Sequence, residues 1–485
     1  MSEGRTTLSE TGSIRAPRFA VAALGLSALL SAIGVSIANV ALPMLAEAFD
    51  APFAQVQWVV IAYLLAVTTL IVSIGRLGDL FGRRRLLLAG LTLFSASSLL
   101  CALAPSLPVL IAARALQGAG SAAMMALAMA MVGQVVPRER TGGAMGLLGS
   151  LSAVGTALGP SFGGALIEAA GWPAVFLVMV PLGLGAVALT AVALPADPPR
   201  DAAAGRPRFD LAGTFLLGAT LAAYALSMTS TRGAVSPALF GIALAGAAVF
   251  LAVESRVAAP LIRIGLLARG RLASGLVMNV LVSTIMMATL VVGPFYLAGG
   301  LGLGPTAIGL AMSVGPAVAA IAGVPSGRLV DRVGAQTTSV AGLVALCAGA
   351  LLLSLLPASL GIAAYVLPLA VMTSGYALFQ AANNTAVLQD APADTLGVTS
   401  AMLNLSRNLG LVTGASVMGT IFALATGVDT LQAAGPDQIA SAMQATFAMA
   451  ASLAAMALIA ATRAPDTGAA GADHPPAAAA GPRRT

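Results

Sequence analysis

The chain has 485 residues, 58% of them hydrophobic and only 9% charged, with a mean hydropathy of +0.95. A soluble domain carries roughly 25% charged residues, so a water-facing surface is excluded and the chain is read as one solvated mostly by lipid. The net charge of +6 comes from 24 basic residues, all arginine, against 18 acids; in a membrane protein such an excess sets orientation and does not imply nucleic-acid binding.

Residues 1–18 are polar and end in Arg15 and Arg18, a cytoplasmic N-terminal segment. A spanning helix needs about 20 mostly apolar residues, and lipid admits only helices or closed barrels, because backbone groups find no water there. The first apolar run, 19–45, exceeds the short core of a signal peptide and predicts an uncleaved helix. Runs at 56–75, 86–104, 108–136, 142–167 and 173–194 complete an N-terminal six-helix bundle over 19–194. Residues 195–210, rich in proline and charge, form a cytoplasmic linker. Two more helices, 211–229 and 237–253, fill 211–253. The stretch 254–271 carries Glu254, Arg256, Arg263, Arg269 and Arg271, and reads either as a solvated loop or as an amphipathic helix at the inner interface. Runs at 272–298, 306–327, 338–356, 360–388, 397–426 and 440–462 form a C-terminal six-helix bundle over 272–462, followed by a compositionally disordered cytoplasmic tail, 463–485. None of the runs alternates with period two, which favours an all-α membrane protein over a barrel.

With the N-terminus inside, 21 of the 24 arginines fall in cytoplasmic segments; Arg232 alone lies outside, and Arg114 and Arg407 lie within helices. That asymmetry predicts cytoplasmic termini and an even number of spans. Trp58 and Trp172 fall at outer helix ends, where interfacial anchors sit.

Two segments repeat. Gly75, Arg76, Leu77, Asp79 and Gly82 follow the second helix and match Gly327, Arg328, Leu329, Asp331 and Gly334 after the tenth, 252 residues on. Gly155 and Gly159 in the fifth helix match Gly410 and Gly414 in the thirteenth, 255 residues on. Two similar offsets predict a duplicated six-helix unit with two helices inserted, an arrangement of 6 + 2 + 6 and fourteen spans. Such repeats are typical of secondary transporters, with a site between the halves.

Three motifs carry chemistry. In the loop from Gly75 to Arg85 the glycines permit a tight turn, and Asp79 can accept hydrogen bonds from arginine or from a helix N-terminus, a latch for one arrangement of the halves. Arg83, Arg84 and Arg85 serve either that latch or orientation alone. Arg114 lies inside the fourth helix with Gln117 one turn on; a cation there is costly and marks a functional site by default. Gly155, Gly159, Pro160, Gly163 and Gly164 form a small-residue face with a proline bend, suited to close packing in lipid.

These patterns resemble motifs A, B and C of the major facilitator superfamily, motif C being the one associated with exporters. With Asn39-Val40-Ala41-Leu42-Pro43 ending the first helix, residues 19–460 are similar to the fourteen-helix drug/proton antiporters of EmrB/QacA type. The resemblance implies the major facilitator fold and alternating-access export of varied, often lipophilic compounds in exchange for protons across the cytoplasmic (inner) membrane, with a periplasmic adaptor if the source has two membranes. Two features depart from the pattern. Gly34 stands where the family commonly has an Asp, five residues before Asn39, and Trp172-Pro173-Ala174 and Met179-Val180-Pro181 replace Trp-Arg-Trp and Asn-x-Pro.

No acid falls in the middle of a predicted span, so Arg114 and Arg407 lack an evident counter-ion. Substrate or coupling roles are assigned to Gly34, Asn39, Arg114, Gln117, Gln380, Asn383, Asn384 and Arg407, the three amides of the twelfth helix forming one donor and acceptor patch. Gating is assigned to Gly75, Asp79, Gly82, Arg83, Gly155, Gly159, Pro160, Gly163, Gly327, Asp331 and Arg332. The missing acid predicts weak preference for permanent cations and better transport of neutral or anionic compounds, with proton carriage left to Asp79, Glu168 or the substrate. An uptake permease or specific metabolite exporter is the alternative. A membrane-embedded enzyme is disfavoured, because clustered acids or histidines are lacking; His474 is the only histidine. No metal, cofactor or nucleic acid is expected.

Overall fold

The computed structural model describes residues 17–137, 141–197, 211–229, 236–256, 270–389, 396–428 and 433–463. The start of the N-terminal segment, most of the 195–210 linker and of the 254–271 stretch, and the tail lie outside the described residues, as do the side chains of Arg76, Asp79 and Arg271.

The longer helices are α1 (Pro17–Ala48), α2 (Trp58–Phe81), α3 (Arg83–Ala102), α4 (Leu107–Val135), α5 (Thr141–Ala170) and α6 (Met179–Ala193). Next come α7 (Leu211–Met228) and α8 (Pro237–Glu254), then α9 (Gly270–Val291), α10 (Pro305–Val333), α11 (Ala335–Leu355), α12 (Ala363–Gln389), α13 (Leu396–Thr413) and α14 (Pro436–Arg463). A π turn extends α9 at Tyr296–Gly300, and another, Gly414–Met418, joins α13 to a final helix, Gly419–Thr426. Among the described residues thirteen helices are long and apolar enough to cross a membrane; within α7, Ala212–Met228 is apolar but shorter.

The local chemistry is legible at the ends. Proline sits in the first turn of α4, α8 and α10, where its missing N–H breaks no helical bond. Gly82 (φ 94°) joins α2 to α3 and Gly334 (φ 86°) joins α10 to α11, conformations that a side chain disfavours. These two glycines are 252 residues apart, the offset of the motif that each one closes.

Packing repeats with them. In the first half α1 lies on α5, α2 on α4, α3 on α4 and α6, and α1 also on α4 and α6. The same pairs recur as α9 on α13, α10 on α12, α11 on α12 and α14, and α9 on α12 and α14. Glycines set the crossings: Gly90 and Gly120 press backbone to backbone between α3 and α4, as Gly342 and Gly375 do between α11 and α12. Gly155 abuts Leu29 and Ala32 of α1; Gly410 abuts Val280 and Ser283 of α9. In lipid, where the solvent is as apolar as leucine, such close backbone approach supplies the packing that hydrophobic burial cannot. The helices α7 and α8 pair with each other, and α7 lies against α2 and the π turn of α13.

Candidate functional site

Arg114 is fully buried in the middle of the first half. Its Nε donates to the Val59 carbonyl of α2 at 3.0 Å and its Nη1 to the Gly34 carbonyl of α1 at 3.0 Å. Nη1 also donates to Gln117 Oε1, and Gln117 Nε2 passes a bond on to Ser98 Oγ of α3 at 2.7 Å. The guanidinium lies over the Tyr63 ring, 4.2 Å from its centroid, and 5.9 Å from that of Phe176. Tyr63 is itself fixed by a bond from its hydroxyl to the Ser31 carbonyl, and Ser31 pairs with Ser121.

A buried cation without a counter-ion is costly. Here its charge meets carbonyl dipoles and the negative faces of two rings, and among the described residues Arg114 Nη2 has no acceptor. The residue at 34 explains the arrangement. A Cβ on Gly34 would sit 3.0 Å from the Phe94 ring and 3.2 Å from the Tyr63 hydroxyl. Phe94 and Tyr63 occupy the space that a side chain at 34 would take, and Arg114 bonds the backbone there. Asn39, one turn and a half further along α1, is buried, and among the described residues neither its Oδ1 nor Gln57 Oε1, just before α2, has a partner.

The polar residues of the second half do not meet this cluster through any hydrogen bond among the described residues. Gln380 donates to the Tyr376 hydroxyl at 2.8 Å and is half-buried; Asn384, one turn on, is exposed. Asn383 turns away from both, buried and donating to the Gly275 carbonyl of α9 at 3.2 Å. The three amides of α12 therefore divide between a helix seam and an open face. Arg407 is half-buried on α13, and its Nε has no partner among the described residues. Its neighbours Leu405 and Leu409 pack toward α7, while Asn279 of α9 donates to the Leu403 carbonyl and to Ser406 Oγ; Arg407 lies one turn on from Leu403.

The gating residues fall at two ends of the molecule. Gly155, Gly159 and Gly163, four residues apart, seat α5 on α1 against Leu29, Ser36 and Ile37. The next glycine faces the other half: Gly164 abuts the Pro305 carbonyl of α10, and Gly309 of α10 abuts the Pro160 carbonyl. Ser161 N–H donates to Ser313 Oγ at 2.9 Å, and Glu168 Oε2 accepts the Thr306 N–H at the start of α10. The counterpart of Gly164 by the 255-residue offset is Gly419, and it abuts Gln57 and Phe53 of the first half. Phe53 stacks edge-on against Phe295 and Phe422, at 4.8 and 5.5 Å. Polar and ring contacts between the halves thus gather at the Phe53 end. At the opposite end Gly75 and Gly327 would meet nothing within 4 Å of an added Cβ, and Asp331 and Arg332 are exposed.

One partner of the first motif escapes the sequence. Asp197, two residues beyond Pro195, accepts the backbone N–H of Arg84 at 2.9 Å and of Arg85 at 3.1 Å, capping α3 with a carboxylate. Gly82 lies directly against that carboxylate, so a Cβ there would collide with it. Arg83 Nη1 donates to the Ala130 carbonyl of α4 at 3.0 Å, and Arg84 to the Ala191 carbonyl of α6. Tyr63, Ser98 and Phe94 were likewise unsignalled: an isolated serine or ring in an apolar run carries no mark of what it will face.

The sequence matches the Major Facilitator Superfamily over residues 24–415. It is 33% identical over 387 residues to the uncharacterized transporter YebQ of Escherichia coli, covering 79% of this chain and 84% of that one. It is 32% identical over 432 residues to the multidrug efflux pump LfrA of Mycolicibacterium smegmatis, covering 88% and 85%. Among solved structures it is similar to an inward-facing bacterial homolog of the human lysosomal transporter Spinster, with a TM-score of 0.68 at 16% identity, covering 93% of this chain and 98% of that one.

Proposed function

The chain belongs to the major facilitator superfamily, a multi-pass membrane transporter and not an enzyme, and from that premise we propose that it exports small amphipathic compounds across the cytoplasmic membrane in exchange for protons. The observation that carries the reading is the glycine seam of α5. It seats that helix on α1 through Gly155, Gly159 and Gly163, and on α10 of the other half through Gly164 and Gly309. The backbone contacts of Gly164 and Gly309 cross between the halves and can part and re-form as the halves move, which alternating access requires, while Gly155, Gly159 and Gly163 hold α5 on α1 within one half. The efflux pump among its relatives supports the direction of transport.

Within this proposal the chain is a fourteen-span, 6 + 2 + 6 transporter of EmrB/QacA type. Its arginine-rich segments are cytoplasmic, and the Phe53 end is the outer one. The closed Phe53 end then corresponds to an inward-facing state. Arg114 sets the substrate preference: a site with a buried cation and no carboxylate partner favours neutral or anionic compounds over permanent cations. Proton carriage rests on Asp79, on Glu168 or on the substrate.

The test is extrusion in a strain lacking its own pumps, with and without the gene, across neutral, anionic and quaternary ammonium compounds. Gradient-dependent extrusion of the first two classes is expected. Extrusion of none would end the proposal, and preferential extrusion of quaternary ammonium dyes would end the substrate assignment. Accumulation in place of extrusion would identify an uptake permease.

A further inference from the structure

A cavity of about 710 Å³ lies between α2, α4 and α7, away from the Arg114 cluster. We propose that it is a binding groove for one acyl chain of a bilayer phospholipid. Four observations point to this occupant.

The walls are apolar and mostly small: Ala66 of α2, Ala112 and Ala115 of α4 and Ala222 of α7 line the groove, and Gly218 lets α7 approach Thr69 of α2. The groove follows α2 from Trp58 to Leu70, about 18 Å at 1.5 Å per residue, with Gln55 just before it, the proportions of an extended chain and not of a compact molecule. Its mouth is marked by Gln55 and Trp58, residue types suited to the membrane interface, and its depth by Leu70 near the middle of the span. Finally, the wall formed by α7 is fixed at both ends. Trp58 Nε1 donates to Thr229 Oγ1 at 3.0 Å at one end of α7, and Ser73 and Thr214 hydroxyls pair at 2.6 Å at the other. The Thr420 hydroxyl also bonds the Met228 carbonyl, tying α7 to the helix after α13. Between these bonds α7 touches α2 where Gly218 meets Thr69 and where Leu217 and Leu221 pack with Leu65, so α7 is a fixed wall of the groove.

The medium then decides what enters. The groove lies in membrane-crossing segments, where water needs two to four polar partners to reside and finds few. Hydrocarbon is what surrounds the helices, and a lipid tail gains contact with three walls in place of one. With its chain in the groove, the lipid lies against α2, α4 and α7 together. This inference is independent of what the protein transports.

The experiment uses the full chain extracted from phosphatidylethanolamine- and phosphatidylglycerol-containing membranes. Native mass spectrometry is expected to find one phospholipid retained per chain after delipidation. Filling the groove from either wall, by A66F or by A112F, is expected to abolish that retention, whereas L100F on the exposed face of α3 keeps it. A second readout uses the chain's having two tryptophans. In a W172F background, quenching of Trp58 by brominated-chain phosphatidylcholine vesicles is expected to fall in A112F. The proposal is overturned if the unmodified chain retains no lipid, or if a folded A66F or A112F variant retains it and quenches as before. Should one variant fail to fold, the other decides.

Discussion

Replacing Gly309 with alanine should shift the balance between the two arrangements of the halves. An added Cβ would meet the Pro160 carbonyl and lie 3.1 Å from Ser161 Cα. Both belong to the backbone of α5, which cannot rotate aside as a side chain would, so the helices must separate. Overpacking of this kind costs about 1–3 kcal/mol. The contact joins the two halves, so the cost falls on the state closed at the Phe53 end and disappears when that end opens. A difference of about 1–3 kcal/mol between states is a shift of roughly 5- to 150-fold in their ratio. Gly155 provides the control. A Cβ there would lie 2.6 Å from the Leu29 carbonyl, a comparable clash with α1 of the same half, so G155A lowers stability in every state and leaves the ratio alone. The assay is pulsed-dipolar distance measurement between spin labels at E47C and D437C, two exposed sites at the Phe53 end, after Cys101 and Cys347 are replaced. G309A is expected to raise the long-distance population and G155A to leave it unchanged. Equal behaviour of the two variants, or no shift in G309A, would refute the assignment of this seam to gating.

R114M is expected to abolish transport and to lower Tm, because it leaves the buried Gln117 Oε1 without its donor at a cost of about 1–3 kcal/mol; undiminished extrusion by the folded variant would remove Arg114 from the site. G34D should raise extrusion of quaternary ammonium relative to neutral compounds, at a stability cost of about 1–3 kcal/mol for crowding Phe94 and Tyr63; an unchanged ratio of the two substrate classes would remove position 34 from selectivity. D197A should cost about 1 kcal/mol by uncapping α3. G82A should cost more, and less so in a D197A background, because the carboxylate it strikes is gone; purely additive melting shifts would contradict the contact.

The apolar runs placed the helices because hydrocarbon offers a span no alternative to internal hydrogen bonding, and the duplication was legible at Gly82 and Gly334 because a left-handed turn leaves its glycine in the sequence. Asn383 was less legible. Its place beside Gln380 and Asn384 in the chain suggested one polar face, whereas the crossing of α12 with α9 gives it a carbonyl of its own at Gly275.

For the site the division has the same cause. That Arg114 is special could be read from the chain, since a lone cation within a long apolar run is conspicuous. What surrounds it could not. Gly34 lies 80 residues away and Val59 lies 55 away, and Phe94, Tyr63 and Phe176 come from three further turns of helix with nothing to distinguish them from other apolar positions. The same holds for Asp197, an acid in a proline-rich stretch that closes on Gly82 through a gap of more than a hundred residues. Composition and periodicity are properties of one segment against its solvent, so the sequence alone determined the helices, their repeat and the position of the buried charge. Which carbonyls and rings neutralise that charge, and which glycines join one half to the other, depend on how helices cross, and only the tertiary structure decided them.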